Sequence, residues 1–550
     1  MVAKTGLVLL TLTLVVSIVA IEGDFANTYI AGIYISIILS GILLCIAFAK
    51  IRIELCYADL ILPAIMVYGG LQHCLLNLTQ YKTTFYIECL IFCVTFIVYR
   101  NLAKQNKRLS IESLFAILLL SNITEYVRLY VSDLNIEETV TNHWGNSGIF
   151  ALFLAICCTI IVAYCNRHSN KYIKAMLILL FVIDLITTIY LQSRLSLVII
   201  IMLFLYTLHK KYKFLKKHHL VVICAVLLLI VAVAFKRDSS IGRFLIIKIT
   251  SEMITNHPLL GVGYGNFAAE FPNYQAKYYA DGKMTDNEMM MADNTVTTLN
   301  EPLQMVCELG LFGIAMLTII AITVIKQLRN NSKEFILIIG AIVISLFFSY
   351  ILHITFFKYA VAFLSGIYCT NIKPLICVKS MYLIPISIAL VCCTGYLYPK
   401  YIAISKMESS NKSFFLRGFN KHLSDNPVYL YSYAGYLLNN GKTDEAFILL
   451  QKLKKYVLWY TPLVIEGDYY SLKQIPDSAE QAYLLAKNIC PAKFTARHKL
   501  FNLYQQTNRH DKTKREAKEI VRLKEKVPSP KTLAIILNAK QYLDSIKNND

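Results

Sequence analysis

The sequence predicts an all-α fold: a polytopic membrane helix bundle of about 13 spans with a cytoplasmic N-terminus. A large loop at about 236–299 and a C-terminal α-helical repeat domain are expected on the far side of the membrane. Three observations carry this reading. First, of 550 residues 56% are apolar and only 16% are charged, with a mean hydropathy of +0.52, whereas soluble domains run at roughly 25% charged. Second, apolar runs of bilayer length recur through the first 400 residues. Third, Lys and Arg collect in alternate connecting loops. A single soluble globule and a disordered chain are excluded. The net charge of +20 is spread over loops rather than a polar basic surface, so no nucleic-acid partner is expected.

A span needs roughly 20 apolar residues. Runs centred on 6–21, 29–49, 55–76, 84–99, 110–130, 147–165, 173–190, 193–208, 219–235, 300–325, 335–352, 356–372 and 380–398 meet that need. Lys4 and the run Gly6–Ile21 have the outline of a signal peptide, but no small-x-small cleavage site precedes Glu22, and a retained first span is expected. Basic loops contain Lys50/Arg52, Arg100/Lys104/Lys107/Arg108, Arg167/Lys171/Lys174, Lys210–Lys217, Lys326/Arg329/Lys333 and Lys373/Lys379. Basic loops stay in the cytoplasm. The N-terminus is then inside, and everything after Lys400 is outside. Fourteen of the fifteen cysteines precede Lys400, mostly inside apolar runs such as Cys157–Cys158 and Cys392–Cys393. They read as packing residues. No CxxC or Cys/His ligand spacing occurs, so neither a metal nor another cofactor is expected.

The domains implied are 1–400, the membrane part, and 401–550, the tail. In the tail, Gly441-Lys-Thr-Asp-Glu-Ala446 has the form of a helix–turn–helix, and small residues recur at Ala482 and Ala517. A period near 34 residues, with Tyr433, Leu437, Tyr483 and Leu503 at apolar positions, looks like tetratricopeptide repeats. A plain helical bundle is the alternative. Such an array offers a binding surface rather than chemistry.

Chemistry is sought among charges on the outer side, because charges at membrane depth are costly and functional by default. Arg194, in Gln192-Ser-Arg-Leu-Ser196, occupies a short hinge between two spans. It is either a snorkelling anchor or a bidentate phosphate ligand. Arg243 follows Gly242 at the start of the outer loop, close to Lys236, Arg237 and Lys248. It either holds lipid headgroups or clamps a pyrophosphate together with Arg194. The stretch Asn256-His257-Pro-Leu-Leu-Gly261-Val-Gly263-Tyr-Gly265-Asn-Phe267 lacks a strand–turn–helix setting for a dinucleotide loop. It reads as a tight turn bringing backbone close to another group. Asn300-Glu301-Pro302-Leu-Gln304 opens the next span and leads to Glu308-Leu-Gly310-Leu-Phe-Gly313. Glu301 is a dipole-favourable residue at a helix start or a general base for a sugar hydroxyl; Glu308, deeper, reads as structural.

Together these motifs resemble the O-antigen ligase superfamily, and in particular its members with a C-terminal repeat tail. Ser193-Arg194 matches the family's Ser-Arg hinge, and Gly242-Arg243 its Gly-Arg motif. His257–Gly263 matches a His-Pro-Leu-x-Gly-x-Gly stretch, and Asn300–Gly313 an Asn-x-x-Leu-Gln…Glu-x-Gly-x-x-Gly segment. Asn273-Tyr-Gln-Ala276 is typical of the repeat-tailed branch, and Gly145–Ala151 resembles a family Gly/Asn-rich segment. The likeness covers about 140–325. It implies transfer of a glycan from undecaprenyl pyrophosphate to a lipid A–core sugar at the periplasmic face of the bacterial inner membrane. The implied alternatives are a protein Ser or Thr acceptor or O-antigen polymerisation. It also implies donor-pyrophosphate roles for Arg194 and Arg243, with Lys248 adding positive potential. Catalytic work falls to Glu301, Arg194 and Arg243; His257, Gly261, Gly263, Asn300 and Gln304 bind substrate or shape the loop. Many members have His just before the Asn of the Asn-x-x-Leu segment, where this chain has Leu299. Either Glu301 takes over as base, or catalysis relies mainly on positioning and leaving-group stabilisation; His257 is a further loop candidate, and His143 and His353 lie near outer edges with no motif to recommend them. The tail is expected to recruit an acceptor or a protein partner. A transporter, for which Asp59 and Asp184 are the main intramembrane acids, and a non-catalytic scaffold are readings outside the class.

Overall fold

The computed structural model describes residues 2–19, 26–76, 83–132, 135–165, 170–212, 237–408, 418–526 and 528–547. Among them the architecture is helical, with one two-stranded ribbon. Strand β1 (Ile53–Leu55) pairs antiparallel with β2 (Ile376–Val378), register Ile53 to Val378. The membrane part contains α1 (Val2–Val19), α2 (Ala26–Phe48), α3 (Ile61–Leu75), α4 (Thr83–Gln105), α5 (Lys107–Val131) and the short α6 (Ile136–Trp144). It continues with α7 (Ser147–Cys165), α8 (Lys171–Tyr190) and α9 (Arg194–Tyr212).

Eight described segments are long and apolar enough to cross a membrane: Ala31–Phe48, Tyr57–Leu75, Tyr86–Gln105, Lys107–Val131, Ser147–Cys165, Lys171–Tyr190, Glu301–Asn330 and Ser380–Met407. Lys4–Leu14, Arg194–Thr207 and Phe335–Phe348 are apolar but shorter. The run expected at 356–372 forms a helix of only 14 residues, roughly 21 Å long at 1.5 Å per residue. The run at 219–235 lies outside the described residues, as does Lys236.

Helix α7 is the bundle's central rod. It is apolar all round and buried from Ile149 to Ala163, as a helix surrounded by others must be. Helices α5, α6, α8 and α9 pack on it. Two buried acids of the bundle, Asp184 and Asp59, are engaged by neighbouring side chains. Asp184 accepts from the Asn122 amide at 2.9 Å and the Tyr126 hydroxyl at 2.9 Å. Asp59 accepts from Arg100 at 2.6 Å and from the Cys56 N–H at 2.6 Å. Isolated charges there would cost several kcal/mol, so both hold helices together.

The expected outer loop is a small folded unit. Helices α10 (Arg237–Asn256), α11 (Phe267–Ala280) and α12 (Asp286–Met291) enclose Leu245, Ile249, Met253, Phe267, Phe271 and Cys307. Leu245, Ile249 and Met253 recur at i, i+4, i+8, one face of a helix. Thr285 and Glu288 form a capping box at the start of α12.

After the loop come α13 (Glu301–Gln327), α14 (Lys333–Phe348), α15 (Thr355–Tyr368) and α16 (Leu383–Glu408). Two interruptions matter below. Helix α13 is broken at Gly310, with φ 59° and ψ −137°. The chain also leaves helical geometry between α14 and α15, around Ser349–Ile354.

Helix α16 runs through residue 400 without a break, lying along α2 with Ser387 Oγ 2.7 Å from Ser40 Oγ. The tail then forms α17 (Pro427–Asn439), α18 (Thr443–Lys454), α19 (Tyr460–Leu472), α20 (Pro476–Ile489), α21 (Phe494–Gln506), α22 (His510–Arg522) and α23 (Pro530–Lys547), with neighbours in sequence packed on one another. Ala446, Ala482 and Ala517 are buried in α18, α20 and α22, alternate helices of the series. The tail is seated on the loop unit. Ala276 of α11 is part of a tail core with Leu463, Tyr483 and Leu500. The Gln275 amide donates to Ile489 O at 2.6 Å, and Asp293 meets Lys493 at 2.7 Å.

Candidate active site

Several motifs of the sequence converge because α13 is broken where the glycine loop reaches it. Gly261, Gly263 and Gly265 have φ of 72°, 95° and 69°, in the left-handed region that side chains disfavour. Val262 N–H donates to Cys307 O at 3.0 Å, Gly263 N–H to Glu308 O at 3.1 Å, and Leu311 N–H to Leu259 O at 3.2 Å. The loop backbone thus supplies partners to the peptide groups that the break at Gly310 releases. A Cβ on Gly310 would lie 2.6 Å from Gly261 N. Glu308, buried, accepts from Gly265 N–H at 2.8 Å and from the Gln304 amide at 3.1 Å. Gln72 of α3 reaches in, donating to Glu308 O at 2.9 Å while its own oxygen accepts from Tyr264 N–H at 3.2 Å. Glu308 and Gln304 are therefore parts of the joint.

Asn300 caps α13, its side chain accepting from Leu303 N–H at 2.9 Å; Pro302 sits in the first turn. Leu299 before it has φ 56°, a strained state for a residue with a side chain. Together these features aim Glu301 at the interruption between α14 and α15. There its Oε1 accepts from Leu352 N–H at 2.8 Å and stands 3.4 Å from His353 Nδ1. Arg243 donates to Phe348 O, on the other end of the same interruption, at 2.6 Å. Arg194, which follows another left-handed residue, Gln192 (φ 51°), donates to Ser240 Oγ at 2.8 Å and Ser239 Oγ at 3.0 Å, one turn before Arg243. Burial, and after it the positive charge of Arg194, pull the Arg243 pKa below its usual value. The two guanidiniums are thus close enough to repel, an arrangement that favours an anion between them.

The other sequence candidates fall elsewhere. Lys248 is paired with buried Glu288 at 2.5 Å. His257 Nε2 lies 3.0 Å from Tyr274 OH. His143 is on α6, and Arg237 opens α10. Among the described residues no group of three or more His, Cys, Asp or Glu is placed to hold a metal ion.

Beside the Glu301–His353 pair opens a cavity of about 1150 Å³. Its walls are mostly apolar, with Ile65, Phe92, Leu317, Ile320 and Val343. Polar side chains also line it, among them His73, Tyr86, Glu88, His353 and Lys358. Lys358 and Glu88 form an ion pair of 2.6 Å in its wall. His353 and Lys358 lie outside every motif. Their only signal in the sequence was a position at the outer edge of a predicted span.

Residues 145–318 match a family model described as O-antigen ligase. No curated protein and no solved structure matches the chain. The matched stretch contains Arg194, Arg243, the glycine loop, Glu301 and Gly310, whereas Gln72 and His353, which meet them in the structure, lie outside it. The segment 145–318 of this multi-pass helical membrane protein is thus similar to the O-antigen ligase family, a similarity that supports a membrane glycosyl-transfer type of activity.

Proposed function

We propose that the protein moves a glycan from undecaprenyl pyrophosphate to a sugar hydroxyl of lipid A–core at the periplasmic face of the bacterial inner membrane. The observation that carries this reading is the meeting of Arg243 and Glu301 at one helix interruption, with Arg194 held one turn away along α10, beside a cavity with mostly apolar walls. The apolar walls suit a prenyl chain. The two arginines suit the pyrophosphate, whose departing charge they neutralise as it develops. The acceptor oxygen bonds to the anomeric carbon while the bond from that carbon to the pyrophosphate oxygen breaks. The hydroxyl proton passes to His353 Nε2, with Nδ1–H held by Glu301, so that the carboxylate orients the imidazole and stabilises its charged form. This chain thereby supplies, from the α14–α15 interruption, an imidazole that Leu299 does not. No metal or cofactor is invoked.

The test is transfer by the purified full-length protein in lipid nanodiscs, with a polyprenyl-pyrophosphate glycan and lipid A–core. Arg194→Ala and Arg243→Ala are each expected to slow transfer by about 100-fold or more, and Glu301→Gln and His353→Ala by about 100-fold. Full activity in either arginine variant defeats the donor clamp, and full activity in Glu301→Gln removes the dyad. Glycan appearing only on a Ser/Thr protein, or only on a second polyprenyl-linked glycan, replaces lipid A–core as acceptor.

A further inference from the structure

The tail contributes to the cavity itself. Lys454, Lys455, Leu458 and Leu485 line the same space as Glu301 and His353. The segment carrying the lysines is fixed over α11. Leu458 N–H donates to Ala268 O at 3.4 Å, and Tyr460 N–H to Asn294 Oδ1 at 2.9 Å. Across from it on α11 stand Glu270 and Asn273, which also line the cavity. Among the described residues, no hydrogen bond or ion pair engages the side chains of Glu270, Asn273 or Lys455, whereas Lys454 is committed to Glu466 at 2.8 Å. A carboxylate, a carboxamide and an ammonium thus line one cavity without a protein partner among the described residues. Carboxylate and carboxamide can hydrogen-bond adjacent hydroxyls, and an ammonium can pair with an anion, the combination an acidic sugar presents.

We propose that the part of the cavity lined by Glu270 and Asn273 of the loop unit and Lys455 of the tail is a subsite for an acidic saccharide, the acceptor glycan. Glu270 and Asn273 hold its hydroxyls, and Lys455 holds its phosphate or carboxylate. This rests on the glycan-transfer reading above, and it gives the tail a direct part in acceptor selection.

The test measures binding separately from transfer. Rough lipopolysaccharide (lipid A–core), intact or stripped of phosphate, is titrated against the full-length protein in nanodiscs made from neutral lipid. The intact probe is expected to bind about tenfold more tightly than the stripped one. Lys455→Glu is expected to abolish that difference and Lys455→Arg to keep it. Asn273→Ala is expected to weaken both probes, and Lys531→Glu, a charge reversal elsewhere on the tail, to change neither. Equal binding of the two probes, or an unchanged difference in Lys455→Glu, overturns the proposal. Donor turnover measured in parallel separates the two readings. Phosphate-dependent binding through Lys455 without any transfer keeps the subsite and rejects the transferase. Transfer whose acceptor KM ignores Lys455 does the reverse, and a change confined to the donor KM assigns Lys455 to the pyrophosphate and overturns the subsite.

Discussion

At Gly261 and Gly310 two left-handed glycines interlock, and each backbone occupies the space where the other's side chain would stand. The contact is made of backbone that cannot retreat. Gly261→Ala or Gly310→Ala should therefore cost on the order of 3 kcal/mol, read as a lowered Tm of the purified protein. Gly340→Ala, a helix position with open space around it, should be neutral or mildly stabilising. Equal destabilisation by all three would mean that the glycines matter only as membrane packing. The sequence pointed to a GxGxG stretch that brings backbone close to another group, and to a structural part for Glu308. It did not show that the partner is a break in α13, since Gly310 inside an apolar run is a common sight. His353 was legible only as an edge residue; its meeting with Glu301 spans 52 positions of chain.

Between elements, the contact that holds the tail over the cavity runs through Asp293. Burial alone would raise its pKa, but the Lys493 ammonium, the Asn294 N–H and the Cys490 thiol outweigh that and hold it below the ordinary 3.8. A carboxylate with a lowered folded pKa stabilises docking fully above about pH 4 and loses that contribution as the pH falls through its folded value. Tail helices α19 and α20 should then become more open to hydrogen exchange, beyond the intrinsic pH effect, as the pH falls below about 4. Asp293→Asn should show the looser docking already at pH 7, with a shallower pH dependence. The same exchange rates in both proteins at every pH would exclude Asp293 as the latch. The helix pattern of the tail was readable from its small-residue spacing, with Ala446, Ala482 and Ala517 all buried. Its docking was not, because Gln275 and Ile489 are 214 residues apart and neither is unusual locally.

For the whole molecule, the alternation of basic loops predicts an N-terminus in the cytoplasm and a tail on the opposite side. A phosphatase reporter at the C-terminus should therefore be active in cells and a cytoplasm-dependent fluorescent reporter dark; the reverse pattern would invert the topology and place the arginines on the cytoplasmic side. The sequence by itself determined that this is an apolar helical membrane protein, which family its central segment resembles, and which motif residues stand near helix ends. Hydropathy and charge act locally and leave a mark on composition and spacing. Only the tertiary structure decided that the outer loop is a folded unit, that the tail sits on it, and that His353, Lys358 and Lys455 share a cavity with Glu301. Those contacts join residues from separate helices, and their stability comes from burial and hydrogen bonds that exist only once the helices have packed.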